Sequence, residues 1–318
     1  MDRKALAGPV YSIVTPFDSA GGIDFGALEN YIDLAYGAGA RQFYVMAYNS
    51  RYSQLSGDEI RTLNSFVVKA VHQLGSDVVT IVGDPIHCST RASAEFCRHA
   101  SSIGADFISL IVREKYYSDE QIVAHFEECA AASDVRILVH EMPFISGFGG
   151  HTINWPISLL DRVADIEGVD AIKEDAKDDQ YSRDVIRLIR DRLSIVISGG
   201  GKRQWLRFAD DGGQAWLNGV GVFDPRLPQA FYRAHLAGDD ATVRAIIEGI
   251  EVPFFEQLVE PFGWHRAIKG ALEARGLMPR FERGPMVALS EGEQSAVRHV
   301  MESIETTIDG IFRASSHQ

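Results

Sequence analysis

Eight runs rich in valine and isoleucine recur along the chain, and their spacing limits the architecture more than anything else in it. They are Val10–Phe17, Gln42–Asn49, Val78–Asp84, Ala105–Arg113, Arg136–Met142, Val169–Asp175, Leu193–Gly200 and Gln214–Gly221, starting roughly 20 to 36 residues apart. Most are near-continuous apolar runs rather than alternations of apolar and polar residues. That pattern belongs to parallel strands covered on both faces. The gaps carry helical patterns. Ser56-x-x-Glu59 and Ser118-x-x-Gln121 read as capping boxes, and Thr90–Ser102, Trp155–Ala164 and Asp179–Ile189 have comparable apolar spacing. Eight repeats of strand and helix point to a closed α/β barrel, the (β/α)8 TIM fold, rather than an open sheet. No Gly-x-Gly-x-x-Gly follows the first run, which counts against a dinucleotide-binding sheet.

The 318 residues exceed the roughly 250 such a barrel needs. The barrel is expected over 1–236. The remainder, 237–318, reads as a helical region packed on it, with helices over Asp239–Leu258, Trp264–Ala274 and Glu291–Ser315 and a proline-bracketed loop from Leu277 to Pro285. A net charge of −13 argues against binding the phosphate backbone of nucleic acids. No apolar run approaches the 18 residues a membrane span requires, and the N-terminus lacks the apolar stretch of a signal peptide. Cys88, Cys97 and Cys129 form no CxxC motif or disulfide framework. A cytoplasmic protein without membrane or nucleic-acid partners is expected.

In a barrel of this kind the working residues stand at the carboxyl ends of the strands. Those ends supply Tyr48-Asn49-Ser50-Arg51, Asp84, Arg113, His140-Glu141, Lys173-Glu174-Asp175, Gly199-Gly200-Gly201 and Asn218. Lys173 closes a buried strand, where desolvation disfavours its ammonium form and favours the nucleophilic free amine. A strand-end lysine can equally pair with Glu174 or Asp175. His140 stands at the end of the preceding strand, either as a proton carrier or as a hydrogen-bonded structural histidine. Asp84, His87, His140, Glu141 and Asp175 are of types that bind metals. No His-x-His follows the first strand and no spaced pair sets two ligands on one element, so neither a metal nor another cofactor is expected.

Several motifs occur in a specific order: Thr15-Pro16-Phe17 followed by Gly22-Ile23-Asp24, then Leu55-Ser-Gly-Asp-Glu59, His125-Phe126, Pro143 after the fifth strand, and Ile172-Lys173-Glu174. With the tail over Trp264–Met286, they resemble the dihydrodipicolinate synthase and N-acetylneuraminate lyase superfamily from about residue 8 to about residue 300. The resemblance implies a homo-oligomeric barrel, a dimer or tetramer, that binds a 2-keto acid as an imine on Lys173. The chain departs from the family's pattern near that lysine. The loop after the second strand, where the family carries Gly-(Thr/Ser)-Thr-Gly-Glu to hold the substrate carboxylate, reads Ala47-Tyr48-Asn49-Ser50-Arg51. The family's proton-shuttling tyrosine is matched by His140, followed by Glu141.

The expected function is a class I lyase or aldolase-type enzyme acting on a 2-keto acid or sugar-derived keto acid, distinct from standard dihydrodipicolinate synthase. Lys173 and His140 are its catalytic pair, with His140 oriented by Glu141. Tyr48, Asn49, Ser50, Glu141, Gly199, Gly200, Asn218 and Arg113 are its substrate-binding residues. Arg51 is a further candidate anion anchor, and Tyr116 and Tyr117 fall near the position of the family's aromatic donor from a neighbouring subunit. A barrel that binds a ligand without turning it over, and a metal-dependent hydrolase, are the alternatives.

Overall fold

A computed structural model describes residues 5–87, 89–112, 117–141, 144–145, 152–176, 178–198 and 201–315. Each of the eight apolar runs overlaps one strand of a closed parallel barrel, and seven contain theirs whole, β1 starting two residues ahead of its run. They are β1 (Gly8–Ser12), β2 (Gln42–Tyr44), β3 (Val79–Gly83), β4 (Phe107–Leu110), β5 (Arg136–Glu141), β8 (Val169–Glu174), β9 (Ser194–Ile197) and β10 (Ala215–Leu217). Between β5 and β8 the chain adds a two-stranded antiparallel sheet absent from the sequence reading, β6 (Phe144–Ile145) and β7 (Thr152–Ile153). In sequence, the barrel strands alternate with α1 (Phe25–Gly37), α2 (Gly57–Leu74), α3 (Thr90–Ser102), α4 (Asp119–Ala130), α5 (Ile157–Ala164), α6 (Asp179–Ile189) and α7 (Gly201–Leu206), and α8 (Arg226–Ala237) follows β10. The fold is the expected (β/α)8 barrel with a long C-terminal helix, Glu291–Ser315.

The local chemistry accounts for these elements. The amide of Glu59 donates to Ser56 Oγ and the Glu59 carboxylate accepts from the Ser56 amide, which closes the capping box of α2. Ser118 and Gln121 do the same for α4. α6 buries Ser182, Val185, Ile186 and Ile189, the single stripe an amphipathic helix lays on a sheet. α5 starts at Ile157, after Pro156, rather than at the expected Trp155.

The chain divides into two compact units. The first runs to Ile13 and resumes over Arg41–Leu217, so it holds all the barrel strands. Its centre is a cluster that includes Val10, Tyr44, Ile81, Phe107, Leu138, Ala171, Val196 and Leu217, drawn from all eight strands. Side chains alternate between the two faces of a strand, so this cluster identifies which residues of each strand face inward. The second unit takes Val14–Ala40 and resumes at Asn218. There Phe17 lies under two cations, Lys269 Nζ at 5.0 Å and the Arg283 guanidinium at 4.6 Å. Buried Asp224 joins Arg226 at 2.6 Å to Arg275 at 3.2 Å. The expected helix over Asp239–Leu258 is a helical run whose central part, Ile247–Glu251 and Phe255–Val259, winds as π-helix. Pro253 lies in this stretch and Pro261 shortly after it, and proline supplies no amide donor to a regular α-helical ladder.

Candidate active site

The register between β5 and β8 places the two expected catalytic residues side by side. Ile137 pairs with Val169, but the next pair is Leu138 with Ala171, so β8 carries one extra residue there, Asp170. This bulge advances β8 by one position, and His140 consequently pairs with Lys173, and Glu141 with Glu174. Leu138 and Ala171, two residues earlier, belong to the barrel core. By alternation His140 and Lys173 face inward at the carboxyl end of the barrel.

Both side chains are about 1% exposed. Lys173 Nζ lies 2.8 Å from His140 Nε2 and donates to Asp175 Oδ2 at 2.8 Å. Asp175 Oδ2 is 4.0 Å from His140 Nε2. A buried ammonium is tolerable because a carboxylate and an imidazole share its protons. In the sequence Asp175 stands out only as an ion-pair partner or metal ligand. Its place two residues beyond Lys173, hence on the same face, was the signal available.

The rest of the inner rim surrounds this triad. Tyr48, half-buried, turns its ring edge-on to His140 with centroids 6.1 Å apart. One layer deeper, the hydroxyls of Tyr44 and Ser109 are 2.6 Å apart. Burial pushes the Tyr44 phenol well above its ordinary pKa; the Ser109 hydrogen bond opposes this, and the charges of Asp175 and Asp84 add to it. Tyr44 is therefore a protonated phenol at neutral pH. Asp84 accepts from Ser93 Oγ at 2.6 Å.

The loop after β2 closes on itself. Asn49 Nδ2 donates to Ser12 Oγ at 2.8 Å and Ser50 Oγ to the Ile13 carbonyl at 2.7 Å. The amides of Ser50, Arg51 and Tyr52 donate to the carbonyls of Met46, Tyr48 and Ala47. Arg51 is buried in the left-handed region at φ 62° and donates Nη1 to the Asn49 carbonyl at 3.0 Å. The polar groups expected to meet substrate from Asn49 and Ser50 thus hold the loop to β1.

Glu141 is not placed to orient His140. Neighbouring residues on a strand face opposite ways, so Glu141 and Glu174 turn away from the barrel interior, and the carboxylate nearest His140 is that of Asp175. No well-formed hydrogen bond reaches either Glu141 oxygen among the described residues, although the backbones of Trp155 and Asp175 come close enough to favour its charged form in part. Burial first, and then the Glu174 carboxylate, push its pKa up to about 8. Below pH 4.5 both folded and unfolded chains hold this proton. Between 4.5 and 8 only the folded chain keeps it, so folding stability falls as pH rises through that window and levels off above it. Glu141→Gln removes the titration, so its stability relative to wild type is expected to rise by a few kcal/mol (roughly 1.4 per pKa unit) between pH 4.5 and 8.5. Urea unfolding at the two pH values measures this, and equal differences at both would contradict it.

Of the other expected site residues, Arg113, Gly199 and Gly200 lie outside the described residues, as does Tyr116. Asn218 follows β10 directly, is fully buried and belongs to the second unit. Tyr117, His87 and His125 line a separate hollow of about 320 Å³ between the loop after β3 and α4. Among the described residues no three His, Cys, Asp or Glu side chains are grouped to hold a metal ion. No helix among them is long and apolar enough to cross a membrane.

A comparison with known families matches residues 5–304 to the dihydrodipicolinate synthetase family. Among curated proteins, a 4-hydroxy-tetrahydrodipicolinate synthase of Stutzerimonas stutzeri is 25% identical over 307 residues, covering 93% of this chain and 97% of that protein. A probable 5-dehydro-4-deoxyglucarate dehydratase of Streptomyces coelicolor is 24% identical over 309 residues, covering 94% and 92%. Among solved structures, the 4-hydroxy-tetrahydrodipicolinate synthase of Methylacidiphilum fumariolicum SolV superposes with a TM-score of 0.83 at 19% identity, covering 97% of this chain and 99% of that one.

Proposed function

This chain belongs to the dihydrodipicolinate synthetase family of class I aldolase-type lyases, and from that premise we propose that Lys173 forms an imine with a 2-keto acid or a sugar-derived keto acid. The observation that carries the reading is the buried contact of Lys173 Nζ with His140 Nε2 and Asp175 Oδ2, both at 2.8 Å, inside the carboxyl end of the barrel. An ammonium cannot attack a carbonyl. With Nε2 unprotonated, His140 takes one proton from Nζ along their hydrogen bond, and the resulting imidazolium faces the Asp175 carboxylate. The freed electron pair on Nζ attacks the ketone carbon, and one proton passes from the now cationic Nζ to the former carbonyl oxygen, giving a neutral carbinolamine. Protonation of that hydroxyl from the imidazolium releases water and leaves the iminium.

The iminium then draws in the electron pair of the C–H or C–C bond at the adjacent carbon, giving an enamine. Neutral His140, beside Nζ, is the base that takes the departing proton, and the ring of Tyr48 stands edge-on to the imidazole. Reprotonation and hydrolysis return the free lysine. The changed loop after β2, with Asn49 and Ser50 held to β1, favours a substrate other than that of standard dihydrodipicolinate synthase. The similarity to a probable 5-dehydro-4-deoxyglucarate dehydratase supports a sugar-derived acid as one option.

Borohydride reduction in the presence of a panel of 2-keto acids, followed by intact-mass and peptide mapping, tests the reading. One adduct per chain at Lys173 is expected. No adduct with any keto acid would return the chain to a ligand-binding or metal-dependent role.

A further inference from the structure

The outward faces of β5 and β8 carry a second pair that the scheme above does not use. One residue on from His140 and Lys173, Glu141 pairs with Glu174, and neighbouring strands run about 4.8 Å apart. Both side chains are buried, at 0% and 1% exposure. Two carboxylates side by side out of water repel each other and lose their hydration, so only one of them carries its charge cheaply. The hydrogen bonds decide which. Glu174 Oε1 accepts from the Ala176 amide at 2.9 Å, a donor that steadies a carboxylate. Glu141 has no such donor at either oxygen. The proton therefore stays on Glu141 at neutral pH. The groups around it act in the same direction. From β8 and the residue after it, Glu174 and Asp175 bring negative charge. From α6 comes Tyr181, whose hydroxyl donates to the Trp155 carbonyl at 2.9 Å and is thereby spent. β4 carries no titratable side chain over Phe107–Leu110. Of the charged residues on α5 and α6, Asp161 pairs with Arg192, Arg162 with Glu120, and Arg183 and Arg187 with Asp211.

The reactive pair stands on the same two strand ends. Nζ and Nε2 meet at 2.8 Å because β5 and β8 lie level at that point. A movement of about 1 Å takes this contact past about 3.5 Å, outside hydrogen-bond range. Misplacement of that size costs about 10²-fold in rate. We propose that Glu141 is a positioning residue acting from behind the barrel wall: protonated, it lets β5 and β8 close, and once ionised it drives their ends apart against Glu174 and parts Lys173 from His140. The alkaline limit of the reaction then belongs to this acid pair and not to the amine, whose own loss of a proton favours attack. This rests on the imine reading of Lys173.

The test is the rate of borohydride trapping at Lys173, using whichever acid of the keto-acid panel gives an adduct. Glu141→Gln is compared with the wild type at the same pH, which cancels the reagent's own pH dependence. Glutamine keeps the side chain's shape and stays neutral. The ratio of variant to wild-type rate should rise about 10- to 100-fold between pH 7 and pH 9.5, an interval that spans the ionisation of Glu141 and in which only the wild type gains the charge. Glu141→Asp restores a titrating group and should restore the alkaline decline. A ratio equal at both pH values, with adduct forming at pH 7, would make Glu141 a structural residue and overturn the proposal. An infrared titration of the wild type needs no variant to fold. The C=O band of a buried carboxylic acid should vanish over the interval in which trapping slows, and a wild type without that band at pH 7 would also overturn it. No adduct in the wild type with any keto acid at pH 7 would remove the imine reading and this proposal with it, which keeps the two failures apart.

Discussion

Turnover in Lys173→Ala is expected to fall by at least about 10⁴-fold, with no borohydride adduct anywhere on the chain. Loss of a covalent nucleophile removes the reaction path rather than one interaction along it, which is why such losses are large. Lys173→Arg should be equally inactive, since a guanidinium stays protonated and cannot attack a carbonyl. Both variants must fold for the result to count. Lys173→Ala is the harsher, because it leaves Asp175, whose side chain is only 13% exposed, without its ammonium partner. Lys173→Arg preserves that charge. An arginine variant that folds, gives a normal thermal transition and still turns over keto acid would eliminate Lys173 as the nucleophile.

The second large effect is expected at His140. Replacing it with phenylalanine keeps the ring volume and the packing against Tyr48 but removes the only nitrogen within 3 Å of Nζ among the described contacts. Turnover should drop by about 10²- to 10⁴-fold, the usual range for a general acid–base group. The adduct at Lys173 should still form, more slowly, because Asp175 remains to accept protons from the amine. The pH profile distinguishes this from a packing defect. A neutral imidazole is required to take the proton, so the wild-type rate should fall on the acid side, and the variant should lose that limb. A variant with full turnover and an unchanged profile would make His140 structural and move the proton transfer to Tyr48 or Asp175.

The expectations of the fold that came true rest on signals confined to a few consecutive residues. A strand covered on both faces must be apolar along its length, so each of the eight barrel strands announced itself. The β6–β7 sheet did not, because two residues per strand are too few to carry a pattern. The π-wound stretch after Asp240 carries the same amphipathic spacing as an α-helix, so its winding was invisible. Within the site, Lys173 and His140 stood out as polar ends of apolar runs. Glu141 was assigned to the substrate by its proximity in sequence, but adjacent residues of a strand face opposite directions, and the structure puts it behind the barrel wall. Asp175 was readable by the same parity rule. The burial of Lys202 gave no signal at all: it is the second residue of a six-residue helix, and nothing in its immediate neighbours foretells it.

The extra residue at Asp170 sets what a graft of this side-chain arrangement onto another barrel would have to carry. Grafting only the polar triad onto another barrel's strand ends would fail on a regular strand pair, where Ile172 and not Lys173 would come level with His140. The transferable unit is a cassette of two segments, 136–141 and 169–175, with the irregularity between Val169 and Ala171 included. Removing Asp170 alone would move the amine out of reach of the imidazole while leaving every side chain of the triad in the chain. The contact of Lys173 with His140 is thus encoded as much by how many residues precede it as by which residues they are.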